Sequence, residues 1–218
     1  MKFLGNTSSG SQADQTFSRN RFGQYVRRRA SPVQPRTSFQ LNQRARMVTN
    51  AAAWRALTDG QRAGWTSLGG EISRTDSIGQ SYTFNGFMAY CSVNNNKLDA
   101  GDSAVSDAPA IVTPGDLLTA TITLTSAAFS VAYTATPLAA GVRLYIFVSP
   151  QQSAGRIFNG DYRLLTVTAA AAASPANILA AYTARFGVPV TGNRIFLSLS
   201  TYKGGFKGNP FNVTQIVA

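Results

Sequence analysis

The spacing of apolar residues changes once along the chain, and this change limits which folds the chain can adopt. From Ile111 onward apolar and polar residues alternate, most strictly in Leu118–Thr125. A period of two is typical of a β-strand with one buried face. Five further segments show it between Gly and Pro breaks: Ala128–Thr134, Val142–Ser149, Tyr162–Thr168, Arg194–Thr201 and Phe211–Val217. We therefore expect six or seven short antiparallel strands in residues 111–218.

That number of strands in about a hundred residues is typical of a small β-sandwich of the immunoglobulin or fibronectin type III kind. One segment interrupts the alternation. Ser174 followed by Pro175 predicts the start of a short helix, and Gly187 predicts its end. We expect this helix, Pro175–Phe186, to cross between the two sheets.

Helical patterns occupy residues 37–100. Thr37 or Ser38 is a suitable cap for a first helix, and Thr58 and Gln61 have the spacing of a capping box for a second. The second helix is expected to stop at Gly69-Gly70, followed by a loop over Glu71–Ser81 and a third helix near 84–98. The predicted core of this helical module is Trp54, Leu57, Trp65 and Leu68.

Positive charge is concentrated at the start of the chain. Residues 1–50 carry nine basic side chains and one acid, which gives +8 of the chain's net charge of +11. Residues 5–16 lack core-forming side chains and are expected to be disordered. From Phe17 to Val33 aromatics interleave with arginines, which favours an extended arm, and Pro32 and Pro35 predict an extended connector. The candidate contact residues are Arg19, Arg21, Phe22, Tyr25, Arg27, Arg28 and Arg29.

A basic arm with aromatics has two uses that the spacing leaves open. Such an arm can bind nucleic acid, with arginines on phosphates and aromatics stacked on bases. It can equally dock on a neighbouring protein subunit through arginine–carboxylate pairs and aromatic anchors. Charged residues make up 13% of the chain, about half the usual fraction, which indicates a surface covered by neighbours. This low charge favours protein docking.

The composition disfavours catalysis. The chain has no histidine and one cysteine, Cys91, so the commonest general base is absent and neither a disulfide within the chain nor a cysteine zinc site can form. Asp99, Asp102, Asp107 and Asp116 lack the spacing of a calcium loop. We expect no enzyme, no cofactor and no metal site. No apolar run has the length of a membrane span, so we expect no membrane contact.

The first hundred residues resemble a widespread set of bacteriophage proteins. The resemblance rests on Arg-Asn-Arg-x-Gly-x-Tyr-x-Arg-x-Arg over Arg19–Arg29, Pro-x-x-Pro over Pro32–Pro35 with Thr37 and Gln40, Ala-Trp-x-x-Leu-Thr-x-x-Gln-Arg-x-x-Trp over Ala53–Trp65, and Asn-Gly-x-x-x-Tyr over Asn85–Tyr90. Proteins of this set are taken to be virion components, and the resemblance implies the same role here. It supplies no catalytic residues.

Together these observations predict an α+β chain in four parts: an extended basic arm (1–36), a helical module (37–100), a linker (101–110) and a β-sandwich (111–218). The expected function is that of a phage structural protein, assembled into the virion in the host cytoplasm. Its expected place is the capsid, as a decoration or minor capsid protein that docks by its arm onto the major capsid protein or neighbouring subunits in a symmetric array. The alternatives are a tail or neck component, and a DNA-binding packaging or architectural protein that uses the same arm.

Overall fold

The computed structural model describes residues 9–31, 36–76, 78–134 and 136–218. The fold is mixed α+β, with four helices and several antiparallel sheets in the described part of the chain. The chain divides into two compact units, residues 1–44 and 45–218. The predicted connector at Pro32 and Pro35, and residues 5–8 of the segment expected to be disordered, lie outside the described residues.

The first unit contains a three-stranded antiparallel sheet of β1 (Gly10–Gln12), β2 (Gln15–Asn20) and β3 (Gly23–Arg28), in that order. The predicted disorder is therefore wrong for residues 9–16, and the arm is a paired sheet and not a single extended ribbon. Two-residue turns close both hairpins. At the second turn the Asn20 Oδ1 accepts from the Phe22 amide at 2.9 Å, and Gly23 adopts φ 114°, which glycine tolerates best.

Three helices follow: α1 (Ser38–Ala56), α2 (Asp59–Glu71) and α3 (Gly86–Asp99). The predicted capping box is confirmed, because the Thr58 hydroxyl accepts from the Gln61 amide at 3.3 Å and the Gln61 Oε1 accepts from the Thr58 amide at 3.0 Å. Asn85 caps α3 by accepting from the Met88 amide at 2.8 Å.

The prediction that α2 stops at Gly69-Gly70 is wrong. The helix continues to Glu71, and Gly69 lies close to the backbone that enters α3. A Cβ at Gly69 would lie 2.6 Å from the Phe84 carbonyl oxygen. The predicted loop that follows contains a short hairpin, β4 (Ser73–Thr75) with β5 (Ser81–Thr83).

All four residues predicted for the helical core lie in one cluster. Leu57, Trp65 and Leu68 are buried, and Trp54 is partly buried against them. Trp54 packs on Tyr90 at 5.5 Å between ring centroids, and Trp65 meets the same ring edge-on at 5.1 Å. These aromatics are therefore packed against one another and not presented as a stacking surface.

Each of the six strands predicted in the C-terminal half is present: β6 (Thr119–Leu124), β7 (Phe129–Thr134), β8 (Arg143–Val148), β9 (Arg163–Val167), β11 (Arg194–Lys203) and β13 (Phe211–Ile216). Two short strands add to them, β10 (Ala176–Asn177) and β12 (Phe206–Lys207). The helix predicted over 175–186 begins later, as α4 (Leu179–Phe186), because Ala176 and Asn177 pair with β7 instead.

The C-terminal strands form two antiparallel sheets that share one core. One sheet has the order β10-β7-β6, and the other has β9-β8-β11 with β12 and β13 both paired to β11. Alternate residues of both sheets meet in a single buried cluster, for example Val131 of β7 with Ile146 of β8 and Leu197 of β11. Tyr182 of α4 packs into the same cluster.

The other face of the larger sheet is covered by α3 and the segment after it. The Tyr145 hydroxyl donates to the Asn96 carbonyl at 2.5 Å, and the Tyr202 hydroxyl donates to Asp102 Oδ2 at 3.0 Å. Residues 101–110, predicted as a linker, are held to the helices: the Trp65 Nε1 donates to the Ser106 carbonyl at 2.7 Å. Residues 45–218 therefore belong to one compact unit.

Candidate functional site

The residues predicted for the arm contact site all lie in or beside the N-terminal sheet. None of the side chains described in residues 9–31 is buried, although the sheet has three strands. A sheet of this size needs a packed face for independent stability. Its exposed basic surface is therefore the first candidate for a partner contact.

Strand pairing divides the arginines between two faces. Phe17 pairs with Val26, and Arg19 and Arg28 occupy the same face because each stands two positions from this pair along its own strand. This face, which we call the Phe17 face, has a half-buried apolar centre with an arginine towards each end. The predicted contact residues leave out Phe17 and Val26, whose equal distance from the turn was the available signal for their pairing.

Tyr25 and Arg27 lie on the opposite face, where their cross-strand partners are Ser18 and Thr16. Tyr25 is half-buried and Arg27 is exposed. The run of basic residues from 27 to 29 is therefore not one patch, because neighbours in a strand point to opposite sides.

The turn between β2 and β3 presents Arg21 and Phe22. Phe22 is 73% exposed, and the Arg21 guanidinium carbon lies 4.9 Å from the centroid of its ring. An exposed aromatic at the tip of a tight hairpin is shaped to enter a pocket on a partner.

Asp14 is the one acid among residues 9–31, and it contacts the end of β3. Its Oδ2 lies 3.2 Å from the Arg28 Nε, with both side chains largely exposed, and its carbonyl accepts from the Arg29 amide at 2.7 Å. Exposed pairs of this kind contribute little to stability. The ion pair leaves the sheet strongly basic.

A second surface, which sequence reasoning missed, is formed by the connection between β8 and β9. Ile157 and Phe158 in this connection are 87% and 74% exposed. Beside them lies a cavity of about 320 Å³ that also touches β11 and β13. The sequence signal was an Ile-Phe pair between Gly155 and Gly160, flanked by Arg156.

Buried ionisable groups cluster where α3 meets the larger sheet. Burial, followed by the nearby Asp99 charge, raises the pKa of Tyr145, and burial with a hydrogen bond to Asp102 raises the pKa of Tyr202. Burial lowers the pKa of Lys207, whose Nζ lies 4.3 Å from the centroid of the Tyr145 ring. The Tyr145 and Tyr202 hydroxyls are hydrogen-bonded to the Asn96 carbonyl and to Asp102, and the Lys207 ammonium lies over the Tyr145 and Phe147 rings.

Within the part of the chain that the structure describes, no three histidine, cysteine or acidic side chains are placed to hold a metal ion. The helices described in residues 36–218 include none that is long and apolar enough to cross a bilayer. The chain matches no protein-family model, no curated protein and no solved structure.

Proposed function

We propose that the chain is a structural protein of a bacteriophage particle that docks on neighbouring virion proteins through its N-terminal sheet. The observation that carries the proposal is the sheet itself, which is paired and basic but buries none of its described side chains. A partner surface completes its packing. The resemblance of residues 1–100 to phage virion proteins supplies the biological setting.

The chemistry of the docking contact follows from the Phe17 face. Phe17 and Val26 supply the apolar centre, and Arg19 and Arg28 supply planar donors towards its ends. An apolar centre with a polar rim is the usual anatomy of a protein interface, and guanidinium groups bind carboxylates in a bidentate fashion. The preferred partner is therefore an acidic surface on another virion subunit. Phe22 at the turn provides a separate anchor.

We propose further that residues 111–218 form a sandwich of the fibronectin type III kind. The sheet order β10-β7-β6 opposite β9-β8-β11-β13 corresponds to strands E-B-A and C′-C-F-G of such domains, and the shared core supports this assignment. Helix α4 then occupies the connection between strands E and F. In a symmetric particle this domain faces outward or packs on a symmetry-related copy.

We place the chain on the capsid, as a decoration or minor capsid protein, in the virion assembled in the host cytoplasm. A tail or neck position uses the same docking face and is the second candidate. DNA packaging is the third, and the exposed arginines on both faces of the sheet are the observation that favours it. The proposal assigns no catalytic step.

The test uses phage particles assembled with variants of the chain. Deletion of residues 1–36 should remove the chain from purified particles, as measured by quantitative mass spectrometry. Replacing either Arg19 or Arg28 with Ala should reduce the copy number, whereas Arg27→Ala, the same change on the opposite face, should leave it near the wild-type value. Absence of the wild-type chain from purified particles, or full retention of the truncated chain, would overturn the proposal.

A further inference from the structure

The connection between β8 and β9 holds an apolar pair in a fixed, exposed position. Ile157 and Phe158 are 87% and 74% exposed. Their segment is not loose, since the Arg156 Nε donates to the Phe158 carbonyl at 2.9 Å and the Arg194 Nη1 donates to the Arg156 carbonyl at 2.9 Å. Adjacent exposed apolar side chains on a held backbone are a mark of interaction sites.

The cavity beside this pair has a lining that is apolar in its larger part. The apolar lining comes from Ile157, Phe158 and Tyr162 of the connection, Phe196 of β11 and Val213 of β13, and the polar lining from Asn159, Asn212 and Thr214. Its volume of about 320 Å³ lies within the range of pockets that take a small organic group, roughly 300–1,000 Å³. A single large side chain from a partner fits this volume.

Asn159 is a buried polar residue in the wall of the cavity. The residue lines the cavity and is 4% exposed. Its Oδ1 accepts from the Asp161 amide at 3.2 Å, and because a backbone N–H can only donate, this contact fixes which end of the side chain carries the nitrogen. The Nδ2 group has no acceptor among the described residues. This nitrogen is itself buried from solvent.

The charge around the cavity selects an anionic partner. Arg156 and Arg194 are hydrogen-bonded to the segment that carries the apolar pair, and Arg163 follows Tyr162 in the chain. Asp161 is the one acid between residues 150 and 200. Asp161 is already paired, with its Oδ2 at 3.0 Å from the Arg163 Nη2. Arg194 also borders the adjoining groove along Thr214 and Ile216.

We propose that Ile157, Phe158 and the adjoining cavity form a second docking site, which takes an acidic protein segment that inserts one large apolar side chain. Nucleic acid fits less well, because base stacking requires flat aromatic platforms and the more exposed member of the pair is aliphatic. The site lies outside the N-terminal sheet and does not depend on how that sheet is used.

The test is a titration of the ¹⁵N-labelled full chain, observed by NMR, with Arg27, Arg28 and Arg29 replaced by Ala to weaken competition from the arm. The probe is a blocked peptide, Asp-Glu-Phe-Asp-Glu. We expect shifts in the backbone signals of residues 157–162 and in the Asn159 side-chain amide at roughly millimolar peptide. Phe158→Ser should weaken binding about tenfold or more. Leu118→Ser, a matched change of an apolar residue that is 73% exposed elsewhere, should not.

Two control probes test whether binding requires the inserted apolar side chain and whether the site binds nucleic acid instead. The peptide with Ser in place of Phe should bind at least about tenfold more weakly, because it lacks the inserted side chain. An oligothymidylate should leave residues 157–162 unperturbed. Absence of shifts with the Phe peptide, equal binding of the Ser peptide, or shifts with oligothymidylate alone would each overturn the proposal.

Discussion

The adjacent glycines of α2 are expected to respond in opposite directions to the same substitution. A Cβ at Gly69 would lie 2.6 Å from the Phe84 carbonyl oxygen and 3.0 Å from the Asn85 carbonyl carbon. Both are backbone atoms, and the Phe84 amide donates to the Gly69 carbonyl at 3.2 Å, so a shift that relieves the overlap disturbs this contact. A Cβ at Gly70 meets no atom within 4 Å.

The expected changes in the free energy of unfolding follow from two opposing effects. Replacing glycine by alanine within a helix stabilises it by about 0.5–1 kcal/mol, because alanine loses less backbone entropy on folding. Overpacking at a close contact costs about 1–3 kcal/mol, and contact with backbone favours the upper part of that range. Gly70→Ala should therefore stabilise the chain by about 0.5 kcal/mol, and Gly69→Ala should destabilise it by about 1–2 kcal/mol.

The assay is urea unfolding of the full chain followed by tryptophan fluorescence, because Trp54 and Trp65 lie in the cluster that includes α2. In thermal unfolding followed by the same fluorescence, the melting temperatures of the two variants should differ by roughly 3–10 °C, with Gly70→Ala the higher. Equal stability of the two variants would refute the conclusion that Gly69 is required by the close approach of α2 to residues 84–85.

Three further predictions concern residues 45–218. Trp65→Phe should lower the free energy of unfolding by about 2–4 kcal/mol, because it shrinks a buried ring and leaves the Ser106 carbonyl without its donor. Trp54→Phe should lower this free energy clearly less, because Trp54 is only partly buried. Thr58→Ala should cost about 1 kcal/mol in the same unfolding assay through loss of the α2 cap, and Thr58→Ser should restore most of it. Because burial raises the pKa of Tyr145, its contribution to stability is full below the ordinary tyrosine pKa of about 10 and is lost as pH rises beyond it. Urea unfolding near pH 9 and near pH 11 should show this loss, and Tyr145→Phe should reduce the pH dependence; an unchanged dependence would contradict it.

Local sequence patterns were sufficient to predict many of the helices and strands. Thr58 and Gln61 predicted their own capping box, because both hydrogen bonds form within one helical turn. The six longer C-terminal strands were predictable from the alternation of apolar and polar residues, since successive side chains of a strand point in turn to the core and to the opposite surface. The same pattern does not determine which strands pair, and that order came from the structure.

Tertiary contacts overrode local signals elsewhere. Gly69-Gly70 predicted the end of α2, yet the helix continues to Glu71, and the backbone near Phe84 leaves no room for a side chain at Gly69. Ala176 and Asn177 were expected in a helix but pair with β7. The N-terminal strands are short and polar, so neither their pairing nor their turns had a strong sequence signature.

The candidate site was predicted as a list of residues but not as a surface. Arg27 and Arg28 are neighbours in sequence and lie on opposite faces of the sheet, whereas Arg19 and Arg28 share a face across two strands. The exposure of Ile157 and Phe158 is likewise set by how their segment is held to β11, and an apolar pair in sequence is more often core.

The central claim is that the N-terminal sheet binds protein and not DNA. It is tested most directly by titrating duplex DNA with the full chain and with a variant that lacks residues 1–36, across a series of salt concentrations. We expect weak binding that disappears near physiological salt in both forms. Tight binding with a log–log salt slope of about −4 to −5, lost in the truncated variant, would contradict it and would assign the arginines to phosphates.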